Sequence, residues 1–194
     1  FAHHIVETTF LATSTGVRRR FTQPTGSVEI NAKRNGASAW AGMSTPWFAD
    51  VATDGLLDEL SRRLDWSSRT VELPAGRYET LMPPSAVADM MIYLGWSMDG
   101  RGAQEGRTAL SAPGGGTRVG EQLTQLGLTM YSDPAAAGLE CSPFVAASSS
   151  SETVSVFDNG LGIGRLDWIR DGAVNALAYP RGAAAEFGVE PAIP

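Results

Sequence analysis

Three observations predict an α+β, sheet-dominated fold. Runs with two-residue periodicity or β-branched texture cluster towards both ends of the 194-residue chain, and Asn35-Gly36, Asn159-Gly160 and Asp171-Gly172 stand among their turns. One intervening stretch repeats leucine at helical spacing, and a second is apolar at nearly every position. β-Meanders flanking one amphipathic and one buried helix are the expected result.

The elements follow in order. Residues 5–13, 27–32 and 37–43 read as strands, and Asn35-Gly36 joins the last two because both residues tolerate the positive φ of a two-residue hairpin turn. Thr53 then offers an N-cap and Asp54 suits the positive end of a helix dipole. Leu56, Leu57, Leu60 and Leu64 form an apolar stripe, with Asp58, Glu59, Arg62 and Arg63 turned away, so a surface helix is expected. Residues 76–82 alternate like a strand, Pro83-Pro84 stops it, and Ser85 caps a second helix. From 86 to 96 that helix reads Ala-Val-Ala-Asp-Met-Met-Ile-Tyr-Leu-Gly-Trp, apolar on every face except at Asp89, which predicts burial on most sides.

Residues 99–120 are glycine-rich and read as a long loop holding at most one short element. Further strands are expected at 126–131, 154–158, 166–170 and 173–178, with an irregular segment over 135–151. A short helix at 181–187 closes on Gly188. The expected division is a β-rich domain end over 1–50, a helix and linker over 51–75, and an α+β core over 76–194. An opening inside a strand at Phe1 marks the chain, on this reading, as a piece of a longer polypeptide.

Composition excludes several classes. A chain of this length buries roughly 70% of its unfolded surface, enough for a core without disulfides, and the 43% hydrophobic content argues against disorder. Fifteen basic against 21 acidic side chains give a charge of −6, which opposes binding to a phosphate backbone. The one basic cluster, Arg18-Arg19-Arg20, reads as a solvated loop or strand end. No nucleic-acid or membrane partner is expected, since no apolar run reaches the roughly 18–20 residues of a span. A single cysteine, no glycosylation sequon and no basic-then-apolar leader point to the cytoplasm.

Candidate chemistry is sparse. His3 and His4 are the only histidines, and as strand neighbours they point to opposite faces, so they make no metal pair. Cys141 has no histidine nearby in sequence to activate it and reads as an inert, partly buried thiol. Gly160-Leu161-Gly162-Ile163-Gly164 lacks the spacing and βαβ setting of a dinucleotide loop, and Gly114-Gly115-Gly116 lacks the Gly-Lys-Ser/Thr of a phosphate loop. Glu105, Asp133, Glu140, Glu152 and Asp158 show no spacing that forces two carboxylates onto one face. Asp133 before Pro134 is expected to fix a turn through its side chain, the alternative being a place in a pocket formed by the long loops. No catalytic, cofactor-binding or metal-ligating residue is assigned.

An ordered series nevertheless emerges: Gly76, Tyr78, Leu81, Pro83 and Ala86-Val87-Ala88; Glu105-Gly106-Arg107-Thr108; Leu128 to Pro134 with Gly138; Val156-Phe157-Asp158 and Gly160; Trp168-Ile169, Gly172 and Val174; Arg181 and Ala183. With Ser14-Thr15-Gly16 upstream, it resembles the TldD/PmbA family of two-domain metallopeptidases and non-catalytic paralogues, formerly called modulators of DNA gyrase. In catalytic members of that family the helix matching 86–96 carries His-Glu-x-x-x-His, two imidazoles for zinc and a glutamate that activates water. Here it offers Val87 to Leu94 with no imidazole, and Asp89 is expected to hydrogen-bond adjoining backbone. The resemblance implies a PmbA (TldE)-like non-catalytic subunit of a heteromeric peptidase that matures or degrades extended peptides. No cofactor is then expected in this chain, zinc residing in a TldD-like partner. A stand-alone binding or structural protein, with self-association, is the alternative, and an enzyme built on Cys141 and Asp133 is a third reading.

Overall fold

The computed structural model describes residues 1–194. The chain forms two compact units, the first from residues 1–8 and 21–80 and the second from residues 9–20 and 81–194. Helix takes 23% of the chain and strand 28%, with the sheets separate from most of the helices in sequence, so the class is α+β.

In the first unit, strands β1 (Ala2–Ala12), β2 (Arg18–Arg34) and β3 (Ala37–Ser44) form a sheet in that order. Asn35 and Gly36 adopt φ of 51° and 83°, the left-handed pair a two-residue hairpin needs. That turn fixes the antiparallel register, with Arg34 opposite Ala37 and Ser27 opposite Ser44. Alternation then places Val28, Ile30 and Ala32 across from Met43, Ala41 and Ala39 on one face of the sheet.

Helix α1 (Thr53–Trp66) lies on that face, and Leu56 and Leu60 pack into it around a fully buried Ala41. Leu64 is buried as well, while Leu57 is half exposed and stands outside the stripe. Burying each of the three leucines stabilises the unit by roughly 1.5–3 kcal/mol. Thr53 is the first helical residue and caps nothing; Ala52 holds the N-cap position with no side-chain bond. The Arg18-Arg19-Arg20 cluster opens β2 as an exposed strand end.

The second unit has short elements and long connections. It contains helices α2 (Pro84–Trp96), α3 (Gly100–Gln104) and α4 (Arg181–Phe187) and a small sheet of β4 (Met130–Ser132), β5 (Leu166–Arg170) and β6 (Ala173–Val174). Its core joins Met98, Leu110, Trp168, Val174, Leu177 and Tyr179 to the alanines Ala103, Ala178, Ala183 and Ala184. Gly188 ends α4 at φ +65°, and Asp171-Gly172 turns β5 into β6 with both φ positive.

Several expectations fail here, and the strand expected over 126–131 narrows to Met130–Ser132. Residues 76–82 form no strand, since no chain lies alongside to complete a ladder. Residues 156–158 form a 3₁₀ turn, because the Ser155 and Ser150 hydroxyls accept the Phe157 and Val156 N–H groups and draw the backbone out of an extended path. The strand expected over 173–178 stops at Val174, where the Asn175 and Ala176 N–H groups both turn back to the Trp168 carbonyl. Most consequentially, α2 buries no residue. It begins with Pro84 at N1, where a missing N–H costs nothing, so Ser85 is not its cap. Only Leu94 and the residues that follow tie it to the core.

Candidate functional site

The features singled out in sequence resolve mostly into architecture. His3 Nδ1 lies 3.1 Å from the Ser27 hydroxyl, and His4 Nε2 lies 3.0 Å from the Pro46 carbonyl. Asp133 Oδ1 accepts the Ala135 N–H at 2.9 Å, as a turn-fixing aspartate does. Glu105 bridges Arg101 and Arg107. Cys141 is exposed rather than partly buried, and local desolvation followed by the Asp133 carboxylate pushes its thiol up, away from the thiolate a nucleophile needs. Gly160 turns at φ +89° beside Val17 and Leu11, and Gly114-Gly115-Gly116 tightens a loop closed by the Ser111–Thr117 bridge.

Asp158 is the one carboxylate of that group that lies deep in the protein, 1% exposed. It accepts the Arg181 backbone N–H at 3.0 Å and Arg181 Nε at 2.7 Å, while the Arg181 guanidinium also reaches the Phe157 carbonyl. Its oxygens thereby anchor the start of α4, a structural task.

Asp89 stands exposed on α2 with no hydrogen bond to neighbouring backbone, contrary to the expectation of a desolvated, backbone-bonded carboxylate. No cluster of three or more His, Cys, Asp or Glu side chains lies close enough to hold a metal. What α2 does present is apolar: Met90 and Ile92 are half exposed, and Tyr93 and Trp96 are 68% and 70% exposed with their rings packed edge-to-face at 5.3 Å. A buried helix and a docking helix can carry the same apolar pattern; only the cover differs.

Beside α2 runs a concavity of about 790 Å³. Met91, Ile92, Gly95 and Trp96 of α2 form one wall, and Met130 and Tyr131 of β4 another. Met98, Trp168 and Ala178, all buried core residues, form its floor. Ser151, Glu152, Thr153 and Pro194 complete the lining, in which Glu152 has the only charged side chain. Sequence reasoning missed this groove, since its walls come from positions as far apart as 91 and 178. The one signal that could have pointed to it was the surplus of large apolar side chains on α2 beyond what one packed face requires.

The profile of the PmbA/TldA metallopeptidase C-terminal domain matches residues 75–193. Among solved structures, a protein of Thermotoga maritima assigned as a modulator of a DNA gyrase aligns with 98% of this chain and 41% of its own, at TM-score 0.77 and 16% identity. A protein of Bacteroides thetaiotaomicron assigned as a modulator of DNA gyrase aligns over 93% of this chain and 39% of its own, at TM-score 0.65 and 17% identity. TldE from Thermococcus kodakarensis aligns over 92% and 38%, at TM-score 0.64 and 15% identity. These likenesses are of fold, and the chain spans about two fifths of the length of each. No curated protein matches it.

Proposed function

The chain belongs to the PmbA/TldD family, and on that footing we propose that it is the non-catalytic side of a heteromeric peptidase that handles extended peptides in the cytoplasm. The observation that carries this reading is α2. Where the family's catalytic members place two imidazoles and a glutamate on this helix, the chain has Val87, Ala88, Met90, Met91 and Ile92 with one exposed Asp89. A lone carboxylate among thioether and aliphatic side chains does not make a zinc site, so zinc does not fit here and no hydrolytic step is derived through it.

The same residues support a subunit role in a second way. Met90 and Tyr93, which are exposed on α2 and do not line the groove, make an apolar surface of the kind a macromolecular partner covers. The partner expected is a subunit bearing His-Glu-x-x-x-His.

Co-expression tests the proposal. The full chain should co-purify with such a partner, the complex should carry zinc and cleave unfolded peptides, and the chain alone should do neither. Tight zinc binding or peptide turnover by the isolated chain would overturn it. Substituting Met90→Lys and Tyr93→Lys together should abolish co-purification with little change in the chain's own melting midpoint, because neither side chain is buried.

A further inference from the structure

The groove between α2 and β4 has three properties that define an occupant more narrowly than "apolar". First, it is preformed. Its floor is the packed core itself, with Met98 and Ala178 each 2% exposed, so it does not depend on a mobile loop for its depth. Second, one of its walls is a sheet edge. In the order β4-β5-β6, strand β4 is outermost and pairs only with β5. Met130 and Tyr131 of this strand both line the groove, and the bulge opposite them falls on β5, at Trp168, which also lines it. An uncovered strand edge offers backbone donors and acceptors to another extended chain.

Third, its charge is one-signed. Glu152 has the only charged side chain in the lining, and its carboxylate is held only loosely, 3.9 Å from an Arg107 that already pairs with Glu105 at 2.7 Å. The Arg165 guanidinium, stacked 3.7 Å over the ring of the groove residue Tyr131, is paired with Asp167 at 3.2 Å and is not itself part of the lining. A cationic group on the occupant is the complement.

We propose that this groove binds an extended peptide segment, its backbone along β4, with a bulky apolar residue seated among Met91, Trp96 and Met130 and a lysine or arginine two positions away at Glu152. Residues two apart on an extended chain share a face, so one peptide can present an apolar and a cationic side chain to the groove together. Methionine-rich walls accept differently shaped apolar side chains, so the apolar preference is one of bulk and the sharper selection is for charge. The inference rests on the peptide-handling reading above and adds the class of sequence that the subunit selects.

The test uses the full chain and two fluorescein-labelled peptides, Thr-Val-Trp-Val-Lys-Thr and its counterpart with Glu replacing Lys, followed by anisotropy. The Lys peptide should bind about fivefold more tightly, a difference that shrinks at high salt, and Glu152→Lys should reverse the order. Gly95→Leu should abolish binding of both peptides while leaving the thermal midpoint intact, because a side chain added at Gly95 meets no atom within 4 Å and projects into the groove wall. Equal affinities in the wild type, an unchanged order in Glu152→Lys, or undiminished binding in a folded Gly95→Leu would each overturn the proposal. So would a dimer by sedimentation that Gly95→Leu dissociates, since the occupant would then be a second copy. Co-purification with the zinc-bearing partner does not depend on peptide charge, so loss of the subunit reading and loss of this one are told apart.

Discussion

The carboxylate of Asp158 receives the backbone N–H and the Nε of Arg181, 23 residues away in sequence, and ties the 3₁₀ turn at 156–158 to the first residue of α4. The two partners differ in exposure: the Asp158 side chain is 2% exposed and that of Arg181 53%. Arg181→Ala should therefore be the costlier single change, about 3 kcal/mol, since it leaves a buried charge with one remaining donor. Adding Asp158→Asn to that variant should recover part of the loss by removing the unpaired charge. Urea denaturation of the two variants checks the order; additive losses would contradict it.

Acid should weaken the second unit at Asp167. A hydrogen bond from Arg170, at 2.9 Å, together with the charges of Arg165 and Arg170, holds the Asp167 carboxyl below its ordinary range despite some opposing desolvation. Glu121 is lowered in the same way by Arg118. A carboxyl whose folded pKa is depressed contributes stability above the unfolded value, about 4, and loses it as pH falls through the lower folded value. Melting midpoints followed from pH 6 to pH 2 should fall more shallowly in Arg170→Ala than in the wild type, and identical slopes would refute the assignment.

Gly172 occupies a position no other residue fits. At φ +81°, a Cβ there would lie 2.3 Å from the Thr124 carbonyl oxygen and 2.7 Å from that of Leu126. Those are backbone atoms that a rotamer change cannot move. Gly172→Ala should cost about 2–4 kcal/mol through backbone strain and overpacking. Gly182→Ala is the matched control: its Cβ would meet nothing within 4 Å, and stability should hold or rise slightly. Thermal unfolding of the pair decides.

Cys141 should behave as an accessible but sluggish thiol. Being exposed, it should titrate to one equivalent with a disulfide reagent, yet more slowly at pH 7.5 than free cysteine because its pKa is raised. Cys141→Ala should leave any peptide hydrolysis by the assembled complex unchanged. Labelling faster than free cysteine would mark it as activated.

The parts legible in sequence are those whose causes are local. Asn35-Gly36 dictates its hairpin without reference to the rest of the chain, and Leu56 and Leu60 find the sheet face that Val28, Ile30 and Ala41 prepare. The Asp133 turn and the Gly188 helix end are equally local. The second unit is not built that way. Its core brings Met98 and Leu110 against Trp168 and Tyr179 through irregular segments whose order no periodicity encodes. Helix α2 lies between the two cases: Ala86 to Trp96 was legible as a helix and as apolar, but hydrophobic pattern specifies what a surface prefers to touch, not whether residues 1–194 cover it. The groove was invisible for the same reason, being the meeting of a helix, a strand edge and a rim loop.

The methionines of α2 carry one more consequence. Met90 and Met91 face water while Met98, a few residues on, is sealed in the core. Peroxide should thus convert the first two to sulfoxides long before it reaches the third, turning greasy thioethers into polar, chiral groups without disturbing the fold beneath. A contact made through the stickiness of this helix would be chemically perishable at that spot, whatever the melting temperature of the fold beneath.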